Sequence, residues 1–310
     1  MQTSTSRVLL SESAQDYQQK FDQIHSGKYI GSSTIGAIAG LVKYKSPLQV
    51  WCEMTGRVSS VGDDNDYMWL GRHMEPIIGE LFVRKTQHSA IRNKNIWQHG
   101  TEDWAIATPD FRVLDADQNW GLLETKNTSF RSAPFWEDGI PDYAHIQIQW
   151  QLGIVGFRKG WVAALIGADP SNFQVKQVDF DSTIFDQLMT LGHNFMQLVD
   201  SDTPPGALAD DGQLIKDLIH QGEKVVNLEN EYHELKHLLA CQGQLKLHNA
   251  EVRKLTDEIS KIKNNLLLKI KESGKGQSGE YMLTAVERTR AAYEAKPASW
   301  VELKIKNTKE

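Results

Sequence analysis

Cysteine is scarce in this chain, with Cys52 and Cys241 the two present in 310 residues. That excludes a disulfide framework, a thiolate zinc site and a four-cysteine iron–sulfur cluster, so any metal must use oxygen or imidazole ligands. Histidines His73, His99 and His145 are scattered without zinc spacing and read as surface or supporting residues. Long apolar runs are missing too: residues 1–20 lack a signal-peptide core, and no stretch approaches the ~18 apolar residues that span a bilayer. The expectation is a cytoplasmic protein with no membrane association. Excess positive charge is also absent; the formal net charge of −6 argues against a protein that coats nucleic acid, while leaving room for a local basic channel. Finally, GKGQSG near residue 274 has neither the spacing nor the preceding strand of a phosphate-binding loop, so ATP-driven translocation is unsupported.

What is present is ordinary for a folded protein: 40% hydrophobic and 24% charged residues. The length suits a domain of roughly 200 residues plus an appendage. Leu10, Tyr17 and Phe21 suggest an opening helix over residues 10–24, ended at Ser26 and Gly27. GSSTIGAIAGL follows as a second helix, with Ser32 or Ser33 as its N-cap. Ser46 and Pro47 start a third helix running to Gly56, and Met68 to Thr86 a fourth. The expected buried stripe of the fourth is Leu70, Met74, Ile77, Ile78, Leu81 and Phe82, with Glu75 beside it.

From residue 88 the period shifts toward two, predicting strands near 90–97, 103–114, 120–126, 160–167 and 173–179. Pro141 opens a helix between the third and fourth of these, ended near Gly156 or Gly160. Pro, Gly and Asp over 200–212 mark a linker. Beyond it, Val225, Leu228, Tyr232, Leu235 and Leu239, then Val252, Leu255, Ile259, Ile262 and Leu266, predict two helices broken in phase near Gly243. An antiparallel hairpin is favoured over an intermolecular coiled coil. Pieces such as YMLTAVER and WVELKIK in the tail suggest a small β-hairpin. The division is therefore residues 1–205 as an α/β core and 206–310 as a helical extension with a short basic tail.

The chemistry concentrates in TPDFRV at 108–113 and GLLETKN at 121–127. Hard divalent ions prefer carboxylate, carbonyl and water oxygens, and they stabilise the attacking and leaving oxygens in phosphodiester hydrolysis. Asp110 and Glu124 are candidate ligands, and Thr125 offers a backbone carbonyl. Lys126 lies two residues after Glu124, so on a strand both side chains share one face. A lysine there can orient an attacking water or offset phosphate charge. Glu-x-Lys by itself is uninformative, since Glu234/Lys236, Glu294/Lys296 and Glu302/Lys304 repeat it. In FRSAPFWEDGIPDY, Phe130, Phe135, Trp136 and Arg131 read as core packing under a loop ahead of base stacking.

The ordered series GSSTIGAIAGL, KSPLQVWCEMTG, LGRHMEP, ATPDF, LETKN and YAHIQIQWQLGIVG resembles the phage-type exonuclease family of lambda exonuclease and YqaJ recombinases, within the PD-(D/E)XK nuclease superfamily. The likeness covers roughly residues 25–180. It implies a PD-(D/E)XK core, a central mixed β-sheet flanked by helices, with a helical C-terminal extension. Carried onto this chain, it makes Glu75, Asp110 and Glu124 metal ligands, Lys126 the catalytic lysine and Gln147 the active-site glutamine. Gln147, Gln149 and Gln151 cannot all face one way on a helix, so at most one or two reach the site. Ser33 and Lys28 match the region that holds a 5′-phosphate, although the arginine expected upstream of the serine is replaced by an uncharged stretch around Ser26.

The activity so implied is Mg²⁺-dependent deoxyribonuclease digestion of double-stranded DNA ends, 5′ to 3′, leaving 3′ single strands for recombination. Mn²⁺ is a possible substitute. Implied partners are a single-strand annealing protein and further copies in a trimeric ring, within a bacterial or phage-infected cell. The rival readings are an endonuclease or nickase on the same fold, and a non-catalytic DNA-binding or assembly protein.

Overall fold

The computed structural model describes residues 6–11, 24, 27–59, 65–218, 228–278 and 281–285. In chain order the elements are β1 (Arg7–Ser11), α1 (Ser32–Ile38), α2 (Pro47–Met54), α3 (Asp66–Thr86), β2 (Ser89–Arg92), β3 (Asn95–Gln98), β4 (Ile106–Ala107), β5 (Phe111–Leu114) and β6 (Trp120–Thr128). They continue with α4 (Pro134–Glu137), α5 (Asp142–Val155), β7 (Lys159–Ile166), β8 (Phe173–Asp179), α6 (Ser182–Asp200) and α7 (Gly212–Leu218). Last come α8 (Tyr232–Lys269), β9 (Lys275–Ser278) and β10 (Tyr281–Thr284). The chain divides into two compact units near residue 219.

The first unit is a mixed α/β fold around a five-stranded sheet of order β2-β5-β6-β7-β8. Every neighbouring pair is antiparallel except β6 and β7, which run parallel with Glu124 opposite Val162 and Lys126 opposite Ala164. A parallel pair needs a crossover, and α4 and α5 supply it. Both faces of the sheet are covered. On one, Leu122, Val162, Ala164 and Ile166 join Ile148, Leu152 and Trp136. On the other, Leu123, Trp161, Ala163 and Leu165 meet Ile78 and Phe82 of α3. Central strands buried on both sides explain why β7 reads as the near-continuous apolar run WVAALI.

A smaller sheet of order β1-β3-β4 stands beside it. The predicted strand over 103–114 is therefore two strands in two sheets, with Thr108, Pro109 and Asp110 as the crossing point. Pro109 donates no ladder hydrogen bond, which suits the break. The Asp110 carbonyl accepts from Asn93 N at 2.9 Å, tying together the two places where the paired chains change sheet.

Local signals explain most boundaries. Ser46 caps α2, its Oγ accepting from Gln49 N at 3.1 Å, with Pro47 in the first turn. Gly156, at φ 88°, ends α5 in the left-handed conformation that glycine permits. Several expectations are corrected. The N-cap of α1 is Gly31, which has no side chain to cap with, rather than Ser32 or Ser33. The buried face of α3 narrows to Ile78, Gly79 and Phe82, while Leu70 and Ile77 are exposed. Leu10 and Ser11 lie in β1, not in a helix; residues 12–23 of that expected helix, Ser26 and Val225 are outside the described residues. α6 was not read from the sequence, although Asp181 caps it and Phe185, Leu188, Phe195, Met196 and Val199 form its buried stripe.

The second unit holds α8, a single 38-residue helix. The expected two helices are thus one. Gly243 costs a helix only about 1 kcal/mol relative to Ala, too little to break so long a run. No residue of α8 is buried. YMLT forms β10, which pairs antiparallel with β9; the remainder of the expected tail hairpin lies outside the described residues. No helix among the described residues is long and apolar enough to cross a membrane.

Candidate active site

β6 is the centre of the site. Its alternation sends Leu122, Glu124 and Lys126 to the face covered by α5, as the two-residue period requires. Lys126 Nζ donates to Glu124 Oε1 at 2.6 Å and to Gln147 Oε1 at 2.5 Å. The ammonium also lies 5.9 Å from the centre of the Tyr143 ring. Gln151, one helical turn beyond Gln147, donates from Nε2 to Glu124 Oε2 at 2.7 Å and to Ser32 Oγ at 3.3 Å. Both oxygens of Glu124 are thereby held.

Asp110 enters from the sheet junction. Its Oδ2 accepts from Thr125 N at 2.7 Å and from Thr125 Oγ1 at 2.6 Å. These bonds fix the carboxylate against the strand that carries Glu124. Glu75 comes from α3, next to Pro76 inside the helix, a residue that supplies no N–H to the helical ladder.

The electrostatics are those of crowded acids around one cation. Burial, then the negative charges of Glu124 and Glu75, push the Asp110 carboxyl well above its usual range against the two Thr125 hydrogen bonds. Burial also raises Glu75, with Arg92 pulling the other way and Glu124 adding to the rise. Burial works against the Lys126 charge, but attraction to Glu124 and the hydrogen bond to it win, and its pKa is raised. Lys126 is therefore a fixed positive charge at neutral pH. Burial raises the Tyr143 phenol as well.

Asp110, Glu124, Lys126 and Gln147 are brought together as a connected set, with Glu75 close enough to act on it electrostatically. Other residues are placed elsewhere. Ser33 is exposed, and it is Ser32 that reaches Gln151. Lys28 pairs with Asp200 of α6 at 3.3 Å. Gln149 points away, bonding the Asp179 carbonyl and the Asp181 amide. Trp136 is core, whereas Phe130 and Phe135 are exposed. Sequence reasoning missed Gln151, Ser32, Thr125 as an anchor for Asp110, and Tyr143. The four-residue step from Gln147 to Gln151 on one helix is the signal that could have found the first.

Does a divalent cation fit? The donors are all oxygen, and two mutually destabilising carboxylates need positive charge. Gln151 Oε1 is buried without a hydrogen-bond partner in the same cluster. Among the described residues, however, no group of three or more His, Cys, Asp or Glu side chains is placed to cage an ion. Glu75, Asp110 and Glu124 are nonetheless near enough to act on one another electrostatically. Asp110 and Glu124 suffice for Mg²⁺, which keeps several waters and is commonly held by one or two carboxylates plus substrate phosphate.

Residues 20–158 match the family described as a YqaJ-like viral recombinase domain. The uncharacterized protein YqaJ of Bacillus subtilis (strain 168) is 30% identical over 168 residues, 53% of this chain and 51% of that one. The chain thus spans about half the length of this curated relative. Among solved structures, the alkaline exonuclease LHK-Exo of Laribacter hongkongensis is 16% identical with a TM-score of 0.49, covering 60% of this chain and 93% of that one. A phage-related exonuclease of Haemophilus somnus 129PT is 12% identical with a TM-score of 0.42, covering 62% of this chain and 96% of its own.

Proposed function

From the match of residues 20–158 to the YqaJ-like viral recombinase domain family, we propose that this chain is a divalent-cation-dependent nuclease that digests double-stranded DNA from its ends, 5′ to 3′, leaving 3′ single strands for recombination. The observation that carries the reading is Lys126 Nζ clamped between Glu124 and Gln147, one residue from the Thr125 that anchors buried Asp110.

In this reading Asp110 and Glu124 hold Mg²⁺, or Mn²⁺ in its place, and Glu75 adds negative charge nearby. When bound, the cation lowers the pKa of water and offsets phosphate charge. The protein's own contribution is positional. Thr125 fixes Asp110, Gln151 fixes Glu124, and Gln147 holds Lys126 in register. The ammonium of Lys126, held against Glu124 and Gln147, is suited to stabilising the anionic phosphorane-like transition state and to orienting the attacking water. Lys28 and Ser33 gain no support as holders of a 5′-phosphate. A single-strand annealing protein is the partner implied by a product with free 3′ strands.

The test compares wild type with Lys126→Ala and Asp110→Asn on end-labelled, 5′-phosphorylated linear duplex and on closed circles, with Mg²⁺ and with chelator. Linear duplex should be lost from the 5′-labelled strand only with Mg²⁺, and each substitution should slow this about 10²–10⁴-fold. Cleavage that survives both substitutions sinks the site. Attack on closed circles would establish an endonuclease or nickase instead, and loss of the 3′ label first would reverse the polarity.

A further inference from the structure

The helix α5 turns a third side chain toward the site, one that the nuclease reading gives no task. Tyr143, Gln147 and Gln151 stand four residues apart, so they share one face of α5. Gln147 reaches Lys126, and Gln151 reaches Glu124. Tyr143, in the first turn, lays its ring 5.9 Å from the Lys126 ammonium and packs it against the core. Phenylalanine would serve that packing equally well. The hydroxyl is superfluous to it, with no hydrogen-bond partner among the described residues, yet it is not sealed from solvent. Burial is the main influence on the phenol and raises its pKa, so the group stays neutral and keeps its proton to donate.

We propose that Tyr143 is a further substrate-binding residue, its hydroxyl donating to a non-bridging oxygen of the phosphodiester that Lys126 attracts; this rests on the nuclease reading above. The acceptors nearby are already committed. Gln147 Oε1 accepts from Lys126, and the two oxygens of Glu124 accept from Lys126 and Gln151. The hydroxyl is thereby left for a ligand. An ammonium has three N–H bonds, of which Glu124 and Gln147 take two on Lys126. The Lys126 side chain is 18% exposed, so solvent has access to it. Lys126 and Tyr143 thus offer a charged donor and a neutral one next to each other. A phosphodiester, with a pair of non-bridging oxygens sharing one charge, suits such a pair of donors, one oxygen to each.

Tyr143→Phe in the full chain removes the hydroxyl and keeps the ring. The variant should melt with wild type, while kcat/KM on linear duplex with Mg²⁺ falls about ten- to a hundredfold, the worth of a hydrogen bond to a charged acceptor. A packing role predicts no such loss. The second measurement uses duplexes whose terminal linkage carries a single phosphorothioate, as separate diastereomers. If the hydroxyl bonds one non-bridging oxygen, the penalty for sulfur at that oxygen should shrink about twofold or more in Tyr143→Phe, and the penalty at the other should stay as in wild type. Wild-type kcat/KM in Tyr143→Phe would overturn the inference and leave the nuclease reading standing. So would sulfur penalties that are the same in both proteins for both diastereomers. A wild-type chain that digests no DNA with Mg²⁺ or Mn²⁺ would remove the nuclease reading and this inference with it.

Discussion

Asp110 is held where its charge is unwelcome. A carboxyl whose folded-state pKa lies above its unfolded value of about 3.9 favours folding fully only below that value, and the contribution is lost as pH rises through the folded pKa. At neutral pH without cation, the buried carboxyl therefore opposes the fold. Asp110→Asn keeps an acceptor for both Thr125 donors and removes the charge. In chelator at pH 7.5 its melting temperature should exceed that of wild type by roughly 2–8 °C, followed by tryptophan fluorescence. Near pH 3.5 the difference should close. Adding Mg²⁺ should raise the melting temperature of wild type and leave the variant where it was; an equal rise in both would show that Asp110 does not hold the cation. At this scale the sequence was informative where strand alternation decides direction, as for Glu124 and Lys126. It was silent where contacts come from another element: Ser32 faces Gln151, while Ser33 turns outward, and nothing local distinguishes two adjacent serines on a short helix.

Elements position the site through close packing. Gly79 of α3 abuts the ring of Phe111, the residue after Asp110, and a Cβ built there would stand 2.5 Å from Phe111 Cζ. Gly79→Ala gains about 1 kcal/mol of helix propensity but forces the ring to move, at a typical cost of about 1–3 kcal/mol for an overpacked core. The expected result is a protein that still folds, with reduced stability and reduced nuclease turnover, because Phe111 and Asp110 shift together. Phe111→Leu in the same chain should restore stability, measured by denaturant midpoint; absence of rescue would locate the damage elsewhere. Strong punctuation made α2 and α5 legible: Ser46 with Pro47, and Pro141 with Gly156. The strand over 103–114 looked continuous because periodicity continues on both sides of Pro109, and only three-dimensional pairing reveals two sheets. α6 had its cap and stripe in plain view, hidden between a strand signal and a linker signal.

The molecule as a whole consists of two units with different sources of stability. The first has a two-sided sheet and a contiguous apolar core. α8 has no buried residue of its own. Thermal unfolding followed by far-ultraviolet circular dichroism should therefore depart from a two-state curve, with a helical phase separate from the loss of tryptophan fluorescence. A single transition would mean that the two units unfold together. The heptad stripe of α8 was readable from spacing alone, whereas its continuity through Gly243 was not, because a glycine can end a helix or merely weaken it.

β6 pairs with β5 over Trp120–Leu123 and with β7 over Leu122–Thr128, so the stretch that carries Glu124 and Lys126 is laddered to β7. Exchange of the Glu124 and Lys126 amides with deuterium should therefore report the parting of β6 from β7. On the reading proposed above, the parting of β6 from β7 would separate Lys126 from its place opposite Ala164 and so couple this exchange to loss of the site.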